Sequence, residues 1–103
     1  MVEVVNRRFG GSGEGVHVVN IRRPFVLGNR FRIGRDGTRE EVIEKYRRWL
    51  WQSIQERGAV YRFLAQLAEV HRADGHIVLL CCCKPLPCHG DVVQRAIEWF
   101  ASC

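Results

Sequence analysis

The segment from Cys81 to Asp91, CCCKPLPCHGD, holds the densest group of reactive side chains in the sequence. Cysteine and histidine side chains bind metals, act as nucleophiles or transfer protons. The segment follows an apolar run that begins at His76, and it precedes an amphipathic helical pattern. In open α/β sheets, ligands bind outside the carboxyl ends of the strands, which is where such a segment would lie. We therefore predict that it contains the functional site.

Metal binding is one chemistry that fits this segment. Along a strand the side chains of Cys81 and Cys83 point to one face and that of Cys82 to the other. The candidate zinc ligands are Cys81, Cys83, Cys88 and His89, because thiolates and imidazoles are the ligands that zinc prefers. Their spacing differs from the paired CxxC motifs of a zinc ribbon, and the adjacent Cys88 and His89 are awkward to direct at one ion.

Thiol chemistry is the second interpretation. Cys88 precedes a predicted helix, whose dipole and free amides stabilise a thiolate and lower the pKa of the cysteine. His89 would serve as base or proton donor, so Cys88 and His89 are the candidate catalytic pair. The same amides attract a phosphate, and Asp91 is a candidate helix cap or ligand-binding residue. Plain packing remains the alternative to both chemistries, because free cysteine is among the most buried residue types.

A second irregular segment, rich in arginine, precedes the first predicted helix. Residues 22–37 read RRPFVLGNRFRIGRDG, and we expect a loop with at most a short strand near Phe31–Ile33. Long loops in small domains are commonly functional. Four of its arginines, Arg22, Arg23, Arg30 and Arg32, lie within eleven positions of one another.

The amino-terminal half predicts two strands and one helix. β-Branched runs at Val2–Val5 and Val16–Ile21 predict the strands, and Gly10–Gly15 between them predicts a hairpin or surface loop. Thr38 followed by Glu41 is a capping box for a helix that continues to about Glu56.

The carboxy-terminal half predicts two more helices around a central strand. A helix extends from about Ala59 to about Gly75, and His76–Cys83 reads as a strand buried on both faces, in a central parallel position. The last helix is predicted from Asp91 to Ala101. This order favours an α/β fold: a small single-domain layered sheet, parallel or mixed, with about three helices over residues 1–103.

The net charge favours an anionic partner. Sixteen lysines and arginines against eleven acidic residues give a formal charge of +5, and Lys45 and Lys84 are the only lysines. Guanidinium groups match phosphate geometry, so a nucleotide or nucleic acid is the expected partner. A charge of +5 also serves solubility alone. The chain is compatible with a monomer or a small homo-oligomer.

The apolar runs exclude a membrane span. The longest, Ile77–Cys83, is seven residues, whereas a membrane helix needs about 20. The first residues lack the apolar core of a secretory signal. We therefore expect a cytoplasmic protein with no membrane partner, whose five cysteines are thiols or metal ligands rather than disulfides.

Two motifs together resemble a known family. The segments RRPFVLGNRFRIGRDGTREEVIEKYRRWL and LLCCCKPLPCHGDVV are similar to the small bacterial and phage family catalogued as domain of unknown function 4326, over roughly residues 16–101. The resemblance implies functional positions at Arg23, Pro24, Gly28, Asn29, Phe31, Cys81, Cys83, Pro85, Cys88, His89, Gly90 and Asp91. This chain departs from the family pattern at Arg22, Arg30 and Cys82. Membership implies a fold and a site, in a bacterium or a phage-infected host, and no known activity.

These observations lead to one geometric hypothesis. The loop residues Arg23, Gly28, Asn29 and Arg30 would approach the segment from Cys83 to Asp91 and form one pocket. The pocket would bind a nucleotide or a nucleic-acid end, with Cys88 and His89 as its reactive or metal-binding pair. Placement of Asn29 and His89 on opposite sides of the sheet would contradict it. The alternative is a non-catalytic, zinc-stabilised module that binds nucleic acid or protein.

Overall fold

The backbone follows the predicted order of elements. A computed structural model of the chain describes residues 2–6, 16–23, 25–81, 86 and 88–102. In chain order its elements are β1 (Val2–Asn6), β2 (Val16–Asn20), α1 (Arg39–Gln55), α2 (Ala59–Arg72), β3 (His76–Cys81) and α3 (Gly90–Ser102). Within these ranges the fold is α/β, with three helices and a three-stranded parallel sheet, as the sequence predicts.

The apolar strand β3 lies at the centre of the sheet. The order is β1-β3-β2, and β3 runs parallel to both neighbours, with Val4 opposite Leu79 and Val18 opposite Val78. The predicted central parallel position is confirmed. The hairpin interpretation of the β1–β2 connection is wrong, because a hairpin joins antiparallel neighbours and β3 separates these two parallel strands. The segment Gly10–Gly15 itself lies outside the described residues.

Strand β3 is described only as far as Cys81. The predicted continuation through Cys83 lies outside the described residues, as do Pro24, Pro85 and Cys103. Side chains from both faces of β3 are buried, among them Ile77, Val78 and Leu79. Burial on both faces explains why this run is uniformly apolar rather than alternating.

Helix α1 begins at the predicted capping box. The Thr38 hydroxyl accepts a hydrogen bond from the Glu41 amide at 3.3 Å, and the Glu41 carboxylate accepts one from the Thr38 amide at 2.9 Å. These bonds satisfy two amides that the helix itself cannot pair. The buried face of α1 contains Val42, Tyr46, Leu50 and Ile54.

Helix α3 begins one residue earlier than predicted. Gly90 is its first residue, and Asp91 lies inside the first turn rather than at the N-cap. The Asp91 carboxylate accepts a hydrogen bond from the Cys88 amide at 3.4 Å. The prediction that Asp91 is the N-cap is therefore wrong, because the helix already begins at Gly90 and the Asp91 side chain instead reaches back to a backbone amide ahead of the helix.

The loop before α1 is irregular, as expected, and the short strand that the sequence allowed at Phe31–Ile33 does not form. The Arg32 amide donates to the Asp36 carboxylate at 2.8 Å, and the Asp36 amide donates to the Arg32 carbonyl at 2.8 Å. Gly34 has a φ of +94°, which a strand residue does not adopt. Local bonds to Asp36 therefore occupy the groups that a sheet ladder would need.

Candidate functional site

A cavity of about 410 Å³ lies between the arginine-rich loop, the first turns of α1 and the segment that enters α3. Arg22 and Arg23 follow the end of β2, and Cys88 follows β3, so the cavity is at the carboxyl ends of two neighbouring parallel strands. The described lining residues are Arg22, Arg23, Asn29, Phe31, Arg32, Ile33, Arg39, Val42, Ile43, Cys88 and His89. Arg23 and Asn29 line the same cavity as Cys88 and His89, so the two segments meet there, although Gly28 and Arg30 are not among the described lining residues.

His89 is held in one orientation at the base of the cavity. The side chain is 8% exposed, and its Nε2 lies 2.6 Å from the carbonyl oxygen of Ile21. A carbonyl only accepts hydrogen bonds, so Nε2 carries a proton and donates it. The ring of Tyr46 packs against the imidazole edge-on, with centroids 4.9 Å apart and planes at 71°.

The surroundings of His89 favour its neutral form. Burial lowers the pKa of His89; the bond to Ile21 opposes this, and the nearby charge of Arg23 adds to the lowering. With the proton on Nε2, the neutral ring has a lone pair on Nδ1. Within the described part of the chain Nδ1 forms no hydrogen bond.

Cys88 is buried, and the pKa of its thiol is shifted in the direction opposite to the predicted one. The Cys88 sulfur accepts a hydrogen bond from the Gly90 amide at 3.3 Å, which is the stabilisation expected at a helix N-terminus. Burial nevertheless raises the pKa of Cys88 to about 12, and a hydrogen bond with the Cys81 thiol adds to the rise. The expectation of a lowered pKa is wrong, since one amide bond does not compensate for the loss of water around the thiolate.

Two arginines are positioned by neutral partners. Arg22 donates from Nε to the Asn20 side-chain oxygen at 3.0 Å, and Arg23 donates from Nη1 to the Asn29 carbonyl at 2.9 Å. Neither acceptor carries a charge, so both guanidinium charges stay uncompensated by these bonds. Among the described residues, Arg22, Arg23 and Arg32 have no carboxylate partner.

Asn29 organises the loop through its own side chain. Its side-chain oxygen accepts a hydrogen bond from the Phe31 amide at 2.9 Å, while its backbone carbonyl holds Arg23. Both bonds are local, and together they bring Phe31 and the Arg23 guanidinium to the same cavity. Asn29 therefore shapes the cavity as well as lining it.

Four of the predicted site residues are not among the described residues that line the cavity. Gly28 is buried, and a Cβ there would be 2.8 Å from the Arg22 carbonyl, so this glycine permits a close backbone approach. The Arg30 guanidinium lies over the Trp49 ring at 5.7 Å. Asp91 accepts from the Cys88 amide, and Cys81 is fully buried in the core.

Several lining residues were absent from the predicted site. Arg32 belongs to the arginine-rich loop, whereas Arg39 is the first residue of α1. The sequence carried no separate signal for Arg39, because Glu40 and Glu41 in the same first turn offset its charge against the helix dipole. The others are Arg22, Ile33, Val42 and Ile43; Phe31 was indicated by the family resemblance.

The described residues contain no group of three or more histidine, cysteine, aspartate or glutamate side chains arranged to hold a metal ion. The predicted zinc ligands Cys81, Cys88 and His89 are all described and do not form such a group, while Cys83 lies outside the described residues. The Nε2 of His89, one of its two ring nitrogens that could bind a metal, is engaged by Ile21. Within the described residues, no helix has the length and apolar content required to span a bilayer.

Comparison with known proteins gives a family and no activity. Residues 5–99 match the family described as Domain of unknown function (DUF4326). The chain is 32% identical over 81 residues to the "Uncharacterized 12.4 kDa protein in nrdA-td intergenic region" of Enterobacteria phage T4, an alignment that covers 78% of this chain and 67% of the phage protein. No solved structure matches. Because the matched range includes every described residue that lines the cavity, and most of the chain, the protein belongs to the DUF4326 family.

Proposed function

We propose that the cavity binds a phosphorylated ligand of mononucleotide size. The observation that carries the proposal is the composition of the lining. Of its eleven described residues, four are arginines and none is acidic. Guanidinium groups bind phosphate through paired, charge-assisted hydrogen bonds. Arg22 and Arg23, held by neutral acceptors, retain the charge needed for that contact.

The size and the apolar part of the cavity favour a nucleotide over a bare anion. A volume of about 410 Å³ falls in the range of roughly 300–1,000 Å³ that small-molecule sites occupy. Phe31, Val42 and Ile43 form an apolar part of the lining, and Ile33, which also belongs to it, is 53% exposed. A planar base against Phe31 and Ile33 would remove apolar surface from water while the phosphate meets the arginines.

The proposal concerns binding and does not include a thiolate nucleophile. The pKa of Cys88 is about 12 in the protein as it stands, and a phosphate anion beside the thiol would raise that pKa further. Cys88 and His89 would then contact the ligand as neutral groups.

Isothermal titration calorimetry with the four ribonucleoside 5′-monophosphates and inorganic phosphate tests the proposal. We expect Arg23→Gln to weaken nucleotide binding by about tenfold or more, since a charge-assisted hydrogen bond contributes about 1.5–3 kcal/mol. Arg62→Gln is the matched control, because Arg62 is exposed on α2, which contributes no described residue to the cavity. Equal weakening by both variants, or no binding at millimolar nucleotide, would contradict the proposal.

A 5′-phosphorylated oligonucleotide distinguishes a free nucleotide from a nucleic-acid end. Contacts to further phosphates would make the oligonucleotide bind much more tightly and with a steeper dependence on salt. Similar affinities for oligonucleotide and mononucleotide support the mononucleotide assignment.

A further inference from the structure

The neutral imidazole of His89 offers a hydrogen-bond acceptor in a cavity whose charged lining residues, among those described, are all arginines. Its Nε2 donates to the Ile21 carbonyl at 2.6 Å, which leaves the Nδ1 lone pair of the neutral ring as an acceptor. Arginine is a donor and has no acceptor. The lining is therefore complementary to a ligand that has hydrogen-bond acceptors beside the arginines and a hydrogen-bond donor beside His89.

The orientation of the imidazole is fixed by two elements besides its own. The Ile21 carbonyl follows β2, and the Tyr46 ring on α1 packs against the imidazole edge. Tyr46 is itself held by its hydroxyl, which donates to the Leu27 carbonyl at 2.7 Å. The tautomer with its proton on Nδ1 would set the Nε2 lone pair against the Ile21 carbonyl, and a 180° ring flip would replace the Nε2–H donor by a carbon. The acceptor on Nδ1 is therefore a built feature of the site.

The phosphate of a nucleotide cannot satisfy this acceptor. At neutral pH the phosphate monoester oxygens are predominantly unprotonated acceptors, and an acceptor facing the Nδ1 lone pair is repelled. Arg23, whose charge acts on His89, is among the residues proposed to hold the phosphate. The donor that faces Nδ1 must therefore lie a few bonds from the phosphate, which is where the sugar hydroxyls of a nucleotide are.

We infer that Nδ1 of His89 accepts a hydrogen bond from a sugar hydroxyl of the bound nucleotide, so that the site selects ribonucleotides over their 2′,3′-dideoxy analogues. This inference rests on the proposed function and adds the part of the ligand that His89 recognises. A ligand that lacks the hydroxyls leaves a buried acceptor without a partner, and such a loss weakens binding by about tenfold.

The test compares, by calorimetry, the ribonucleoside 5′-monophosphate that binds most tightly with its 2′,3′-dideoxy analogue. In the unmodified protein we expect the dideoxy analogue to bind about tenfold more weakly. In His89→Phe the two ligands should bind equally, because the acceptor is gone. His17→Phe is the control, since His17 is exposed on β2 and does not line the cavity; it should retain the full discrimination.

The outcomes separate this inference from the function on which it rests. Equal binding of the two nucleotides to the unmodified protein overturns the inference and leaves the proposed nucleotide site standing. Absence of binding by both overturns both. If a folded His89→Phe protein still binds the dideoxy analogue more weakly, another residue recognises the sugar hydroxyl, and the inference is also overturned. The comparison in the unmodified protein does not depend on any variant folding.

A spectroscopic measurement on the protein without ligand gives an independent check. The nitrogen-15 chemical shifts of the His89 imidazole distinguish a protonated Nε2 from a protonated Nδ1. A protonated Nε2 at neutral pH supports the inference, and a protonated Nδ1 contradicts it.

Discussion

At the scale of single residues, burial decides the protonation of the two most reactive side chains. Cys88 and His89 are adjacent in sequence and both are buried. Loss of water disfavours the charged form of each, so the pKa of the thiol rises and that of the imidazole falls. Both groups are therefore neutral near pH 7, which suits hydrogen bonding to a ligand better than nucleophilic attack.

The raised pKa of Cys88 predicts slow alkylation. In the native protein at pH 7.5, iodoacetamide should modify the Cys88 peptide at least about tenfold more slowly than in the urea-unfolded protein, because only the thiolate reacts. Mass spectrometry of the peptide at successive times measures both rates. Native alkylation as fast as that of the unfolded chain would restore the thiol-chemistry interpretation.

The lowered pKa of His89 predicts a loss of stability in mild acid. Folding favours the neutral imidazole, so its contribution is present above the ordinary pKa of 6.5 and is lost as the pH falls below that value. Urea denaturation between about pH 7 and pH 5.5 should show a decreasing free energy of unfolding in the native sequence. The decrease should be smaller in His89→Phe, which removes this titration, and an equal decrease in both proteins would contradict the assignment.

At the scale of elements, Tyr46 connects α1 to the arginine-rich loop. Its ring is fully buried, and its hydroxyl donates to the Leu27 carbonyl at 2.7 Å, across 19 positions of sequence. The hydrogen bonds inside the loop are short-range, among them those of Asn29 to Arg23 and Phe31. Two other contacts of the loop with α1, those of Arg30 with Trp49 and of Lys45 with the Asp36 carbonyl, are made by exposed cationic side chains. The position of the loop against the helix therefore depends strongly on this long-range bond.

Removal of that hydroxyl should destabilise the protein. Tyr46→Phe leaves the Leu27 carbonyl buried without a partner, which costs about 1–3 kcal/mol in free energy of unfolding. Chemical denaturation measures the loss. Tyr61→Phe is the matched control, because the Tyr61 hydroxyl has no hydrogen bond among the described residues and should cost less than about 0.5 kcal/mol. Equal costs would show that the bond to Leu27 contributes nothing specific.

At the scale of the whole molecule, the first turn of α3 packs closely against the sheet, next to the cavity residues Cys88 and His89. A Cβ on Gly90 would lie 2.6 Å from Cγ1 of Val4 in β1 and 3.0 Å from Cδ1 of Ile21 after β2. This glycine is required for close packing rather than for backbone freedom. The resulting approach positions the neighbouring His89 within reach of the Ile21 carbonyl.

Insertion of a methyl group at this junction should therefore be costly. Gly90→Ala is expected to lower the free energy of unfolding by about 1–3 kcal/mol, as overpacking of a core does. Gly58→Ala, where an added Cβ meets nothing within 4 Å, should change it by less than about 1 kcal/mol. Thermal and urea unfolding of both variants measure the difference, and a tolerated Gly90→Ala would mean that α3 shifts easily on the sheet.

The extent to which sequence predicted this fold follows from the range of the interactions involved. The capping box of α1 joins Thr38 to Glu41, three positions apart, so local pattern was sufficient. The central position of β3 followed from its unbroken apolar run. The hairpin alternative for the β1–β2 connection was wrong, because strand pairing depends on competition between distant segments. The optional strand near Phe31–Ile33 does not form, because local bonds such as those of Asp36 occupy its backbone groups.

The reactive residue types, the arginine-rich loop, and the helices and strands that hold them were all predictable from local sequence patterns. Which arginines meet His89 in one cavity, and whether the pKa of the Cys88 thiol is raised or lowered, depends on how distant segments pack together. The physical reason is that desolvation and long-range hydrogen bonds set protonation. The bond that orients His89 comes from Ile21, 68 positions away, and no local pattern around either residue contains it.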